Sequence, residues 1–214
     1  MIGVYDYTVI ATYLATVFGL WGMLQAIEDH PLAAIFCLLA AGLLDTVDGR
    51  IARTKKNRTS TEKGFGIQID SLNDVMCFGA LPALIAYVLG REWLGEVPVW
   101  YSATLIFFAL TGLIRLAYFN VTEEERQRSS AEPRKYYLGL PITSSTLLFP
   151  LLYLLTILPQ SSRTAAVLMA VGMFVVGVLY ITPVHIRKPH LPGLVAMGVM
   201  GAAEVAVLIV TAVK

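Results

Sequence analysis

Seven apolar stretches, most of them near the roughly 20 helical residues needed to cross a hydrocarbon core, fill this chain. They run from Tyr7 to Ile27, from Leu32 into Asp45, from Gly66 to Leu89, from Val99 to Phe119, from Leu138 to Leu158, from Ala165 to Ile181 and from Leu191 to Val213. Inside a bilayer the backbone must satisfy its own polar groups, so stretches like these become helices. Only 14% of the residues are charged, against about a quarter in a soluble domain. An all-α integral membrane protein follows, with about six to seven transmembrane helices. No internal repeat and no soluble domain interrupt it, and residues 1–214 read as one membrane domain.

Between the apolar stretches, charge is unevenly placed. Arg50, Arg53, Lys55, Lys56, Arg58 and Lys63 fall between the second and third stretches. Arg126, Arg128, Arg134 and Lys135 follow the fourth, and Arg187 and Lys188 follow the sixth. Threading the helices puts all three basic connectors on one side, which the positive-inside rule makes cytoplasmic. The net charge of +1 says nothing for nucleic acid, and no such partner is expected. The first Lys or Arg is Arg50, so no basic segment of a cleaved signal peptide is present at the start. Cys37 and Cys77 lie in apolar runs and read as small packing residues rather than a disulfide framework.

The chemistry concentrates between Asp45 and Asp74, where two apolar helices meet water. Asp45 and Asp48 are three residues apart, Asp70 and Asp74 four, so on helices each pair shares a face. Four like charges gathered at a membrane surface are costly unless cations hold them. Carboxylates are hard ligands suited to Mg²⁺ or Mn²⁺. Gly49 lets a ligand approach the backbone closely, and Arg53, one turn on, carries a fork that matches phosphate oxygens. Two metal ions about 3.5–4 Å apart would stabilise the attacking and leaving oxygens of a displacement at phosphorus. A bland alternative, solvated carboxylates at a helix end, leaves Gly49 and Arg53 in register without a purpose.

These residues, D-x-x-D-G-x-x-A-R followed by G-x-x-x-D-x-x-x-D, resemble the motif of the CDP-alcohol phosphotransferase family. The resemblance implies a membrane-embedded helical fold and a reaction in which an alcohol attacks a CDP-linked phosphate and CMP leaves. By motif position, it implies Asp45, Asp48 and Asp70 as metal ligands, with Asp74 as a further ligand and the general base. Asp48, Gly49, Ala52, Arg53 and Gly66 would shape the CDP and diphosphate pocket, with two divalent ions. The chain departs from the family pattern in one place. Twelve residues, Thr54 to Phe65, separate Arg53 from Gly66, where eight are usual; a longer polar connector is inexpensive.

The stretch Ile69 to Ala83, with Ile114 to Val121 and Tyr137 to Thr143, is similar to the corresponding parts of phosphatidylserine synthases. This resemblance implies CDP-diacylglycerol as donor and L-serine as acceptor, with Arg115, Asn120 and Lys135 as contacts to the acceptor or lipid phosphate. Asn73 and Cys77 stand where Ala and Ser are common, and the first helix lacks an Asn often found there. Glycerol 3-phosphate, inositol phosphate or choline are alternative acceptors. A divalent-cation transporter is the rival of a different class, disfavoured because the acids cluster at one end rather than near the midplane.

Elsewhere the reading is plainer. Glu204, a lone acid in the last stretch, faces a helix interface or polar cavity. His30, His185 and His190 offer no metal spacing. Gly and Ala through the last stretch suit close helix packing, consistent with a homodimer.

Overall fold

The computed structural model describes residues 2–129, 136–187 and 191–213. Helix α1 spans Tyr7–Ile27, opened by Asp6, whose carboxylate accepts from the Thr8 backbone N–H. Helix α2, Pro31–Thr54, begins on a proline, whose missing N–H costs nothing in a first turn. Helix α3, Ser60–Asp74, passes through a π-helical turn, Val75–Ala80, into α4, Leu81–Leu94. Helix α5 is Val99–Ser129 and α6 is Ser145–Thr156; α7 is Ser162–Ile181 and α8 is Leu191–Val213. Among the described residues, five helical segments are long and apolar enough to cross a membrane: α1, α2, the continuous α3–α4 rod, α5 and α7. Shorter apolar helices cover Ile142–Thr156 and Val195–Thr211. The chain is an integral membrane protein.

Small residues decide how closely the helices approach. Along α1, Ala11, Ala15, Gly19, Gly22 and Ala26 are buried while Leu14, Phe18, Trp21 and Leu24 face outward. A Cβ on Gly19 would overlap the Cys77 sulfur, so α1 lies directly against the rod that carries Asp70 and Asp74. The fully buried Phe78, Ile85, Leu38 and Ile35 continue this core between α2 and α4. Cys37 and Cys77 are free and buried, as packing residues should be.

Several boundaries differ from the sequence expectation, each for a local reason. The third helix begins at Ser60 rather than Gly66, because Thr59 and Glu62 form a reciprocal capping box. The loop expected from Gly90 to Pro98 is confined to Gly95–Pro98. Gly90 lies within the helix, where its missing side chain admits the Tyr101 ring, 2.5 Å from where a Cβ would sit, and Gly95, with φ 74°, ends the helix instead. The charged segment after Phe119 continues α5 to Ser129, stitched by Arg126 to Glu123 at 2.6 Å and Arg128 to Glu124 at 2.6 Å.

The helix expected from Leu138 is shorter. Tyr136–Leu138 forms strand β1, which pairs antiparallel with strand β2, His185–Arg187. Gly139, with φ 75°, and Pro141 then turn the chain into the 3₁₀ turn Ile142–Ser144 and α6. Glu204 is buried, 4% exposed, on α8. Arg134, Lys135, Lys188 and His190 lie outside the described residues.

Candidate active site

The polar C-terminal turns of α2 and the body of α3 bring the carboxylates together. One oxygen from each of Asp45, Asp70 and Asp74 lies within 4.8 Å of the others. Asp48 stands beside this group, within hydrogen-bonding range of Asp70, while Asp45 faces Asp74. Asp48 and Asp74 are each only 7% exposed. Asp74 closes α3 where the rod turns π-helical; such turns recur at functional sites because they shift the register of the side chains that follow.

The donor set suits a divalent cation. Asp70 Oδ1 and Asp74 Oδ1 are buried and have no hydrogen-bond partner, which is costly for an oxygen without a cation. Among the described residues, none of the four carboxylates is held by a Lys or Arg at salt-bridge distance. The cluster is open to a cationic ligand, and hard oxygens of this kind fit Mg²⁺ or Mn²⁺.

Gly49 and Arg53 lie next to the acids on α2. A Cβ on Gly49 would meet only the Arg53 guanidinium, at 3.6 Å, so the exposed Arg53 lies back across Gly49 and the space above is open. Ala52, half-buried, shares this turn. Gly66 has a more specific role than expected. A Cβ there would sit 2.6 Å from Arg58 Nη2, and Arg58 also donates to the Glu62 carbonyl at 3.0 Å. The missing side chain thus admits a second guanidinium against α3, from the lengthened connector.

The expected acceptor residues are spread out. Asn120 donates to Ser71 Oγ at 2.7 Å, which ties α5 to α3 beside Asp70. Arg115 is buried over the Phe119 ring, 5.0 Å from its centroid, and lines a cavity of about 280 Å³ with Tyr118, Gly139, Tyr180 and Thr182. None of the four acids lines that cavity. Lys135 lies outside the described residues.

Two contacts were not foreseen from sequence. Thr12 on α1 donates to Asp48 Oδ2 at 3.0 Å, and Thr16, one turn on, reaches Asn73 Oδ1 at 2.9 Å. Hydroxyls inside an apolar helix carry little signal, but their spacing of four, facing the small residues of α1, was available.

The chain is similar in sequence to known proteins. The family model described as CDP-alcohol phosphatidyltransferase matches residues 7–180. The chain is 34% identical over 137 residues to a Helicobacter pylori protein named CDP-diacylglycerol--serine O-phosphatidyltransferase, covering 64% of this chain and 52% of that protein. A Saccharomyces cerevisiae protein of the same name is 39% identical over 113 residues, covering 52% of this chain and 38% of that protein. An archaetidylserine synthase of Methanothermobacter thermautotrophicus is 30% identical over 160 residues, covering 74% of this chain and 61% of that protein. The chain thus spans about half, or less, of the length of the first two relatives. It belongs to the CDP-alcohol phosphatidyltransferase family.

Proposed function

We propose that this CDP-alcohol phosphatidyltransferase moves a phosphatidyl group from CDP-diacylglycerol to L-serine, releasing CMP and forming phosphatidylserine. The observation that carries the reading is the cluster of Asp45, Asp70 and Asp74, with orphaned buried oxygens, next to Gly49 and Arg53. Serine is supported by the names of the relatives, which share it across different lipids. The cation-transporter alternative loses its support to the family match.

Asp45, Asp48, Asp70 and Asp74 would hold two Mg²⁺ or Mn²⁺ ions. Bound there, such ions supply charge neutralisation for the diphosphate and the leaving oxygen. Arg53 grips a diphosphate oxygen with its fork, and the bare Gly49 and small Ala52 let the CDP moiety lie against α2. Gly66, by admitting Arg58, shapes the other wall. Asp74 takes the proton of the serine hydroxyl as general base. The serine oxygen forms a bond to the lipid-bearing phosphorus, and the bond from that phosphorus to CMP breaks, its electron pair leaving with CMP. Direct attack needs no enzyme nucleophile. Asn120 orients the acceptor side through Ser71, and Arg115 and Lys135 contact the serine carboxylate or lipid phosphate.

The basic connectors on the side of the carboxylates support a cytoplasm-facing site, by the positive-inside rule. Residues 1–214 act as one domain, embedded among membrane lipids. A homodimer through α8 is supported by its bare surface: Gly198 has no neighbour and Val195, Met197 and Val199 are exposed.

Offering CDP-diacylglycerol with L-serine, glycerol 3-phosphate, inositol phosphate or choline in turn, and weighing the lipid product by mass spectrometry, tests the acceptor. Phosphatidylserine from serine alone supports the proposal. A product from another alcohol in its place replaces serine while keeping the chemistry.

A further inference from the structure

We propose that Thr12 is a positioning residue for the carboxylate cluster, and that α1 thereby decides which Asp48 oxygen faces the bound cation and diphosphate. The inference rests on the metal-dependent reading above. Asp48 stands outside the tight triad of Asp45, Asp70 and Asp74, and among the described residues it is the one of the four that accepts from a side-chain hydroxyl. Thr12 is 4% exposed and Asp48 7%, so their hydrogen bond, Oγ1 to Oδ2 at 3.0 Å, is made away from water and without competition from it. Thr12 thereby fixes one carboxylate oxygen from the α1 side, while the carboxylate as a whole stays within hydrogen-bonding range of Asp70.

A neutral donor has a specific merit here. A Lys or Arg on Asp48 would cancel the charge that a divalent cation needs and would repel the ion. A hydroxyl fixes the orientation of the carboxylate and leaves its charge intact. The same helix secures the adjoining part of α3. Thr16 Oγ1 lies 2.9 Å from Asn73 Oδ1 and 2.9 Å from the Thr12 carbonyl, so it shares its one proton between them. Asn73, 2% exposed, directly precedes Asp74. Cys77, one turn further, reaches Asn73 Oδ1 at 3.2 Å and the Ala15 carbonyl at 3.4 Å.

The hydroxyls reach these partners only because α1 is bare on this side. Ala15 is fully buried, and Gly19 is in direct contact with Cys77. Thr12 thus binds the α2 acid while Thr16 binds the residue beside the α3 acid. The two threonines hold the halves of the site in register from a helix that contributes no carboxylate to it.

The test compares full-length Thr12→Val, Thr12→Ser and wild type, purified in the same detergent. Manganese binding is followed by loss of the free-Mn²⁺ electron paramagnetic resonance signal, alongside CMP release and thermal melting. Expected are a tenfold or greater rise in the Mn²⁺ concentration for half-saturation in Thr12→Val, an equal rise in the Mn²⁺ needed for half-maximal CMP release, and recovery in Thr12→Ser. Melting should be shared by all three proteins. Should the valine variant not survive purification, Thr12→Ala removes the same hydroxyl without the added bulk.

Mn²⁺ binding by the variant equal to wild type overturns the inference, as does a loss that serine does not restore. Wild-type protein that releases CMP and binds Mn²⁺ while Thr12→Val is unchanged leaves the functional reading standing alone. Wild-type protein that binds no Mn²⁺ removes the metal-dependent reading and the inference with it.

Discussion

The Lys55 ammonium lies 2.6 Å from the Asp6 carboxylate, joining the residue that starts α1 to the residue that ends α2. Lys55 also meets Glu62 at 2.7 Å, and Glu62 is the capping partner of Thr59 at the start of α3. One cation therefore gathers the ends of three helices. This explains how a connector longer than usual for the family can still deliver Arg58 to Gly66.

A pH dependence follows from this pairing. The hydrogen bond from Lys55, then those from Thr8, hold the Asp6 carboxyl down to about 2, and Asp6 and Glu62 raise Lys55 above its ordinary value. A depressed carboxylate stabilises the fold above its ordinary value, and that contribution is lost as pH falls through the depressed one. Amide exchange at Thr59 and Glu62, whose N–H groups close the capping box that Lys55 holds, corrected for its intrinsic pH dependence, should stay slow from neutrality down to about pH 4. Lys55→Met should speed it at every pH in that range. Equal protection in the variant would show that the connector is ordered by something else.

Close packing predicts a suppressor. A Cβ on Gly19 would overlap the buried Cys77 sulfur, so Gly19→Ala should destabilise the protein by about 1–3 kcal/mol, the usual cost of overpacking. Adding Cys77→Ala removes the sulfur and should return part of that loss, seen as a melting temperature above that of Gly19→Ala alone. Additive losses in the double variant would contradict the contact.

Arg53 offers a test of diphosphate recognition. Arg53→Lys keeps the charge and loses the fork; at about 1.5–3 kcal/mol for a charge-assisted hydrogen bond, kcat/KM for CDP-diacylglycerol should fall roughly 10- to 150-fold. The KM for serine should change little. Steady-state kinetics with each substrate varied in turn separates the two, and an effect confined to serine would move Arg53 to the acceptor side.

What could be read from the residues divides along physical lines. The bounds of α1 and α8 follow from the apolar runs themselves, and Asp45, Asp70 and Asp74 are legible because charge on an apolar helix needs a reason. The Thr59–Glu62 capping box was present as a local signal and sets the start of α3 earlier than Gly66 suggests. The β1–β2 pairing was not legible, since Leu138 meets His185 far along the chain and each strand is only three residues long. Gly90 misled because glycine marks both loop ends and close helix contacts, and only the Tyr101 ring tells which. Arg115 reads as an acceptor contact only through the resemblance of Ile114 to Val121, and the sequence carried no sign of the cavity that it lines with Tyr118, Gly139, Tyr180 and Thr182.

The most direct test of the central claim is CMP release from CDP-diacylglycerol and L-serine by purified protein with Mg²⁺ or Mn²⁺, wild type against Asp74→Asn. The account predicts CMP release by wild type that stops when the metal is chelated. It also predicts a fall of about 10²–10⁴-fold in Asp74→Asn, the range for loss of a general base. Release that survives chelation, or an Asp74→Asn rate within a few-fold of wild type, would contradict it.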